Sequence, residues 1–148
     1  MEAARDAVDV VESQFTLLAR TVESLARRSS VYGGLDRAGY LILRTLADGG
    51  CAGIREIADR LGLDASTVTR QVATMEARGL IGRAPDPDDR RAAIVDLTAS
   101  GRTAMAEARR QRQELIRSLF ADWPEAELAA LGRTLDRLNR TLAAAARL

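Results

Sequence analysis

The chain has 148 residues, 47% hydrophobic and 29% charged with a formal net charge of +1, which is typical of one globular domain and gives no bulk attraction to nucleic acid. The absence of histidine and the single cysteine, Cys51, exclude an intrachain disulfide and disfavour histidine-based catalysis and metal binding. No apolar run is long enough to span a bilayer or to form a signal peptide, so we expect a cytoplasmic protein without a cofactor.

An amphipathic helix is predicted at each end of the chain. Apolar residues recur there at alternating intervals of three and four, which places them in one stripe along a helix. We assign dimerisation to Val8, Val11, Phe15, Leu18, Leu128, Leu131, Leu135 and Leu138. A second subunit is the simplest cover for such stripes, and packing of the two ends on each other within one monomer is the alternative. The predicted organisation is a dimerisation helix in 1–35, a central region in 36–99 and dimerisation helices in 100–148, in one integrated domain.

The middle of the chain is predicted to form three helices and a β-hairpin. Asp36 and Asp64 are placed to cap the first and third of these helices, and Gly62 and Gly79 to end the second and third. The predicted elements are helices over 37–48, 54–61 and 65–78, strands over 80–84 and 93–97, and a long helix over 99–120. Because the proline-rich stretch 85–89 cannot continue a ladder, we expect the strands to form a short wing.

The third of these middle helices has one apolar face and one face suited to a DNA major groove. At about 100° per residue, Val68, Val72 and Met75 fall within one narrow arc. The opposite face has small and polar side chains around one arginine, so that the backbone is able to approach a groove and the arginine to reach a base edge. We assign DNA binding to Ser66, Thr67, Thr69, Arg70 and Thr74. The alternative is a solvent-facing helix in a bundle.

The hairpin supplies a second set of candidate DNA contacts. Its tip, PDPDDRR, is too charged and too rich in proline to serve a core. Adjacent arginines at the end of a ribbon suit a minor groove or its flanking phosphates. We assign this role to Arg83, Asp89, Arg90 and Arg91, with the Asp89 carboxylate bracing Arg91. The alternative is a solvated turn, because acidic and basic residues balance over 55–102.

The run LDASTVTRQVATMEARGLIGRAPDPDDRRAAIVDLTASGR strongly resembles the winged-helix core of the MarR (multiple antibiotic resistance regulator) family. In that family the segment S-T-V-T-R, here 66–70, lies on the recognition helix, and the wing pattern D-x-R, here 89–91, precedes a short strand and Leu-Thr. The resemblance implies a mainly α, winged helix-turn-helix fold with about six helices and a two- to three-stranded wing. It also implies a homodimer that presents two winged helices to one pseudo-palindromic operator in double-stranded DNA.

The resemblance further implies a small-molecule effector in a cleft between the dimerisation helices and the winged helix. Phe15, Tyr32, Tyr40 and Leu43 are candidates for lining that cleft, with Arg20 or Arg44 facing an anion. The simpler interpretation of each is a core or surface residue, and we assign no ligand site. We interpret Cys51 as a buried, inert thiol, since a redox sensor needs a thiolate and exposure.

The sequence therefore predicts a sequence-specific DNA-binding transcriptional regulator, a homodimeric repressor of the MarR type that a small-molecule effector releases. The alternative is a helical dimer that acts as a non-specific DNA-binding or protein-interaction module. An enzyme is disfavoured, because the sequence has no nucleophile motif, no glycine-rich phosphate loop and no histidine.

Overall fold

The computed structural model describes residues 6–28, 32, 34–89 and 92–145. These residues form six helices and three strands, in agreement with the mainly α class that the sequence predicted. The elements are α1 Ala7–Arg28, α2 Arg37–Gly49, β1 Ala52–Gly53, α3 Ile54–Leu61, α4 Ala65–Ala77, β2 Ile81–Pro85, β3 Ala93–Leu97, α5 Ala99–Leu119 and α6 Glu125–Ala145.

The chain divides into two compact units, Met1–Arg112 and Gln113–Leu148. The first unit contains α1 to α4, the sheet and most of α5, and the second contains the end of α5 and all of α6. The division into 1–35, 36–99 and 100–148 stays a prediction. None of the helices within the described ranges is long and apolar enough to cross a membrane.

The hydrophobic core lies in the first unit, where α2, α3, α4, the sheet and the start of α5 meet. Burying one aliphatic side chain of this size contributes about 1.5–3 kcal/mol relative to leaving it exposed. The largest fully buried side chains of the core are Ile42, Leu43, Leu46, Ile57, Met75, Val68, Val72 and Val95. All of the buried side chains in the described part of the chain are apolar, so the fold of this unit depends on apolar burial.

The helix ends follow the predicted signals, with one correction. The Asp36 carboxylate caps α2 by accepting from the backbone N–H of Gly39 at 2.6 Å. Gly62 and Gly79 adopt positive φ values of 62° and 70° directly after α3 and the last turn of α4. Asp64 occupies the N-cap of α4, but its side chain accepts no capping hydrogen bond within the described chain. Its exposed carboxylate is left to solvent, and only its backbone carbonyl accepts from Val68, at 3.1 Å.

The sheet is antiparallel, with the strand order β1-β3-β2. β3 pairs with β1 at Ala52 opposite Val95 and with β2 at Ile81 opposite Leu97. The prediction that Pro85 could not join the ladder is wrong, because Pro85 pairs with Ala93. Proline is tolerated there because β2 is an edge strand, and no further strand needs hydrogen bonds from the N–H groups on its outer side.

The apolar stripe of α1 is exposed in the single chain, and that of α6 is partly exposed. On α1, Val8 is 70% exposed, Leu18 50% and Phe15 40%. On α6, Leu128, Leu131 and Leu138 are half-buried and Leu135 is exposed. The assignment of these side chains to dimerisation stays a prediction.

The cysteine differs from its predicted state. Cys51 is exposed, whereas the sequence suggested a buried thiol. Cys51 lies in the bend between α2 and β1, and the core is reached only at the next residue, Ala52.

Candidate nucleic-acid interface

The predicted recognition helix, α4, lies with its apolar stripe in the core and its small polar face in solvent. Val68, Val72 and Met75 are buried, as their spacing predicted. Ser66, Thr69, Arg70 and Thr74 are exposed, and Thr67 is half-buried. The five residues that we assigned to base or phosphate contacts thus lie along the outer side of one helix.

Arg70 stands at the centre of that outer face. Within the described residues it takes part in no ion pair, so its guanidinium is available for the bidentate contact that arginine makes with guanine. Two neighbouring hydroxyls are already engaged as donors: Thr69 Oγ1 donates to the Ala65 carbonyl at 2.8 Å, and Thr74 Oγ1 to the Arg70 carbonyl at 3.1 Å. These threonines therefore offer DNA an acceptor oxygen and a methyl group.

A hydrogen bond on the protein surface links the middle of α4 to the start of α2. Gln71 Nε2 donates to Asp36 Oδ2 at 2.9 Å, while the other oxygen of the same carboxylate caps α2. One aspartate thus caps the N-terminus of α2 and accepts a hydrogen bond from α4. The sequence did not predict this role of Gln71, because its partner lies 35 residues away and no local pattern indicates the contact.

The end of α4 is joined to the wing by an ion pair. Arg83 Nε, on β2, donates to Glu76 Oε1 at 2.8 Å. The side chain of Arg83 is 39% exposed and that of Glu76 28%. The sequence assigns Arg83 to DNA contact, and the structure shows that one nitrogen of its guanidinium donates to α4.

The described part of the wing tip is a hydrogen-bonded turn. Asp86 N–H donates to the Ala92 carbonyl at 3.1 Å, and Ala92 N–H donates to the Asp89 carbonyl at 2.9 Å. The Asp86 carboxylate accepts from the N–H of Asp88 at 2.9 Å. Asp89 is exposed. Arg90 and Arg91, and with them the predicted bracing of Arg91 by Asp89, lie outside the described residues.

The sequence profile of the MarR family matches residues 35–93 of the chain. The HTH-type transcriptional regulator YxaD of Bacillus subtilis is 32% identical over 133 residues, which cover 90% of this chain and 93% of YxaD. The chain belongs to the MarR family. It is a transcriptional regulator of the helix-turn-helix type, and the prediction that it is not an enzyme is confirmed by these relatives.

Solved structures of MarR-family proteins share the fold. A MarR family protein from Bacillus stearothermophilus superposes with a TM-score of 0.79 at 20% identity and covers 95% of this chain and 99% of its own. BpsR of Bordetella bronchiseptica, whose DNA binding is regulated by 6-hydroxynicotinic acid, superposes with a TM-score of 0.68 at 25% identity over 86% of this chain and 98% of its own.

Tyr32 and Tyr40 are candidates for an effector cleft of this MarR-family chain. One of the chain's own arginines lies over both of their rings. The rings of Tyr32 and Tyr40 lie with centroids 5.3 Å apart. The Arg112 guanidinium sits 5.2 Å from the first centroid and 4.9 Å from the second. Leu43 is fully buried in the core, as its simpler interpretation predicted. Arg112 was missed, since it comes from α5, far along the chain.

A groove of about 280 Å³ lies between α2 and the first turns of α5 in this MarR-family chain. Its lining residues are Arg44, Ala47, Asp48, Leu97, Arg102, Met105, Ala106 and Arg109. Arg44 Nε donates to Asp48 Oδ2 at 2.6 Å, and hydrogen bonds to Asp48 and Tyr40 raise the pKa of Arg44. Of the three arginines, Arg44 pairs with Asp48 and Arg102 lies 4.0 Å from Asp96. With the apolar side chains beside them, they give the groove the chemistry to hold a small anion with an apolar body.

Proposed function

We propose that this protein is a homodimeric repressor that binds a pseudo-palindromic operator and releases it when a small molecule binds. The exposed face of α4 carries the proposal. Its small side chains let the helix backbone approach the major groove, and its central Arg70 reaches a base edge. A repressor acts on the DNA of its own cell, so we place it in the cytoplasm.

The exposed apolar stripes of the terminal helices support the homodimer. Val8, Val11, Phe15 and Leu18 form one stripe on α1 and stay exposed in the single chain. A stripe of this kind is a costly feature on a monomer and an ordinary one at an interface. Two recognition helices about one DNA turn apart would also supply the affinity that a single winged helix lacks.

The groove between α2 and α5 supports the effector. Its arginines suit a carboxylate or phenolate, and its size suits a single ring. BpsR, whose DNA binding 6-hydroxynicotinic acid regulates, offers a precedent within the same fold. Adding that compound to the protein–operator complex and following fluorescence anisotropy tests one ligand of this class directly.

The DNA-binding test begins with selection from random duplexes, which yields the operator if there is one. Arg70→Ala is expected to reduce discrimination between operator and random duplex by about 10- to 100-fold, since one bidentate base contact is lost. Arg133→Ala is the matched control, because this exposed arginine lies on the far side of α6 from the leucine stripe. Equal loss on operator and random DNA would assign Arg70 to the phosphates instead.

The alternative function predicts a different result from the same selection. A non-specific DNA-binding or protein-interaction dimer would return no preferred sequence while it remained a dimer. That outcome would exclude the repressor proposal.

A further inference from the structure

The first turn of α5 lies directly on the residues that end the recognition helix. Gly101 is buried, and a Cβ added to it would overlap the carbonyl oxygen of Leu80 and lie 3.0 Å from its carbonyl carbon. The obstacle is backbone, which cannot rotate away as a flexible side chain can. Of the amino acids, only glycine therefore fits between α5 and the Leu80 peptide.

Thr98 fastens the same contact with hydrogen bonds. Its hydroxyl donates to the Gly79 carbonyl at 2.6 Å, and its backbone N–H donates to the Leu80 carbonyl at 3.1 Å. The hydroxyl oxygen also accepts from the N–H of Gly101 at 3.0 Å, which caps α5. One threonine side chain thus binds the start of α5 and the end of α4 together.

The Gly79–Leu80 segment is itself rigidly attached to α4. Gly79 has a positive φ of 70°, and its N–H donates to the Glu76 carbonyl at 2.9 Å. The N–H of Leu80 donates to the Met75 carbonyl at 2.9 Å. These bonds close the last turn of the helix. The direction of the Leu80 carbonyl therefore follows the direction of α4.

We infer that Thr98 and Gly101 are positioning residues for DNA binding: they fix the angle between α4 and α5 and so set the spacing at which two recognition helices meet DNA. The inference rests on the homodimer proposed above. Arg70 lies about 10 Å along α4 from the end of the helix at Ala77, so a rotation of about 5° at this contact moves it by about 1 Å. A displacement of that size is enough to weaken a bidentate base contact.

A purely structural role for the same contact makes a different prediction. If Thr98 and Gly101 only stabilise the fold, a variant loses affinity by the same factor on every duplex. If they position the helices, the variant changes which duplex is preferred. The deciding quantity is therefore the ratio of affinities between operators that differ only in half-site spacing.

The experiment uses the full chain and the operator selected by the wild-type protein, in versions with one base pair removed from or added to its centre. Gly101→Ala is expected to reduce the preference for the native spacing by about tenfold or to shift it to another spacing. Thr98→Val, which keeps the shape and removes the hydroxyl, is expected to change the same ratio by a smaller factor. Gly53→Ala is the control, because that glycine has negative φ and open space around its Cβ position.

The outcomes separate this inference from the proposed function. Failure of the wild-type protein to select any operator would count against the repressor itself. A wild-type protein with a clear spacing preference that both variants retain overturns the positioning role, whatever their affinity. If Gly101→Ala does not fold by circular dichroism, the ratio for Thr98→Val decides.

Discussion

The helices of the winged-helix core and the terminal helices carry the same kind of apolar stripe. The stripe is buried in the core and exposed on α1. On α4, Val68, Val72 and Met75 are buried by other parts of the same unit. On α1, Phe15 and Leu18 remain 40% and 50% exposed. Apolar periodicity therefore tells which side of a helix is apolar, but it does not tell whether the same chain buries that side.

The largest effect is expected in the core, where the single chain supplies every contact. Ile57, on α3, is fully buried. Ile57→Ala should lower the free energy of unfolding by about 2–5 kcal/mol, since it removes buried methyl groups and leaves a cavity. Urea denaturation followed by circular dichroism measures the loss.

Arg55→Ala is the control for that experiment, because Arg55 is an exposed residue on the same helix. Its effect should stay within about 0.5 kcal/mol. Equal effects of the two substitutions would show that α3 does not pack on the core as described.

The next effect is expected on α1, and it should appear in assembly rather than in folding. Phe15→Asp places a charge in the exposed stripe, so we expect it to convert the dimer to a monomer while the helical content of the winged helix is retained. Sedimentation velocity at micromolar protein measures the change. DNA affinity should fall together with the dimer, because two half-sites are no longer bound at once.

Ser13→Asp adds the same charge on the opposite side of α1 and should leave the dimer intact. A wild-type protein that sediments as a monomer would contradict the dimer proposal. A Phe15→Asp variant that remains dimeric would remove this stripe from the interface.

The smallest effect is expected on the solvent face of α5. Hydrogen bonds from Arg110 and then Gln111 lower the pKa of Glu107 from 4.5 to about 2. Because the folded-state pKa is the lower one, the stabilisation is present above the unfolded value and is lost as the pH falls through about 2. Arg110→Gln should raise this pKa toward 4.5, as followed by NMR of the carboxyl carbon, with little change in melting temperature.

Arg109→Gln is the control for the titration, since the neighbouring Arg110 makes the hydrogen bonds to Glu107. A wild-type Glu107 that titrates near its ordinary value would show that this exposed pair does not persist in solution. The exposed pair on α5 would then contribute nothing to the free energy of unfolding.

Local signals in the sequence predicted much of the fold. The bounds of α3 and β3 agree with the predicted 54–61 and 93–97. The core side of α4 was also predicted correctly from residue spacing alone. These features depend on helix periodicity, strand preference and glycine at helix ends, all of which act over a few residues.

The candidate DNA site was predicted only as a set of outward-facing side chains. Those on α4 lie on one face, as expected, but their part in DNA recognition stays a prediction. Sequence reasoning placed Arg83 among the DNA contacts without its Glu76 partner, and it placed Cys51 in the interior. Glu76 lies on α4 and Cys51 in the bend before β1, so both differences depend on how separate elements pack together.

The sequence by itself determined the family, the order of elements and the face that α4 buries, because these follow from short-range pattern. Only the tertiary structure decided which polar and backbone contacts α4 and the residues after it make with other elements: Gln71 with Asp36, Glu76 with Arg83, and the Leu80 carbonyl with Gly101. Each of these contacts joins residues from different elements. The strength of each contact depends on distances and directions that the packed core sets. The spacing of residues along the sequence does not contain that information.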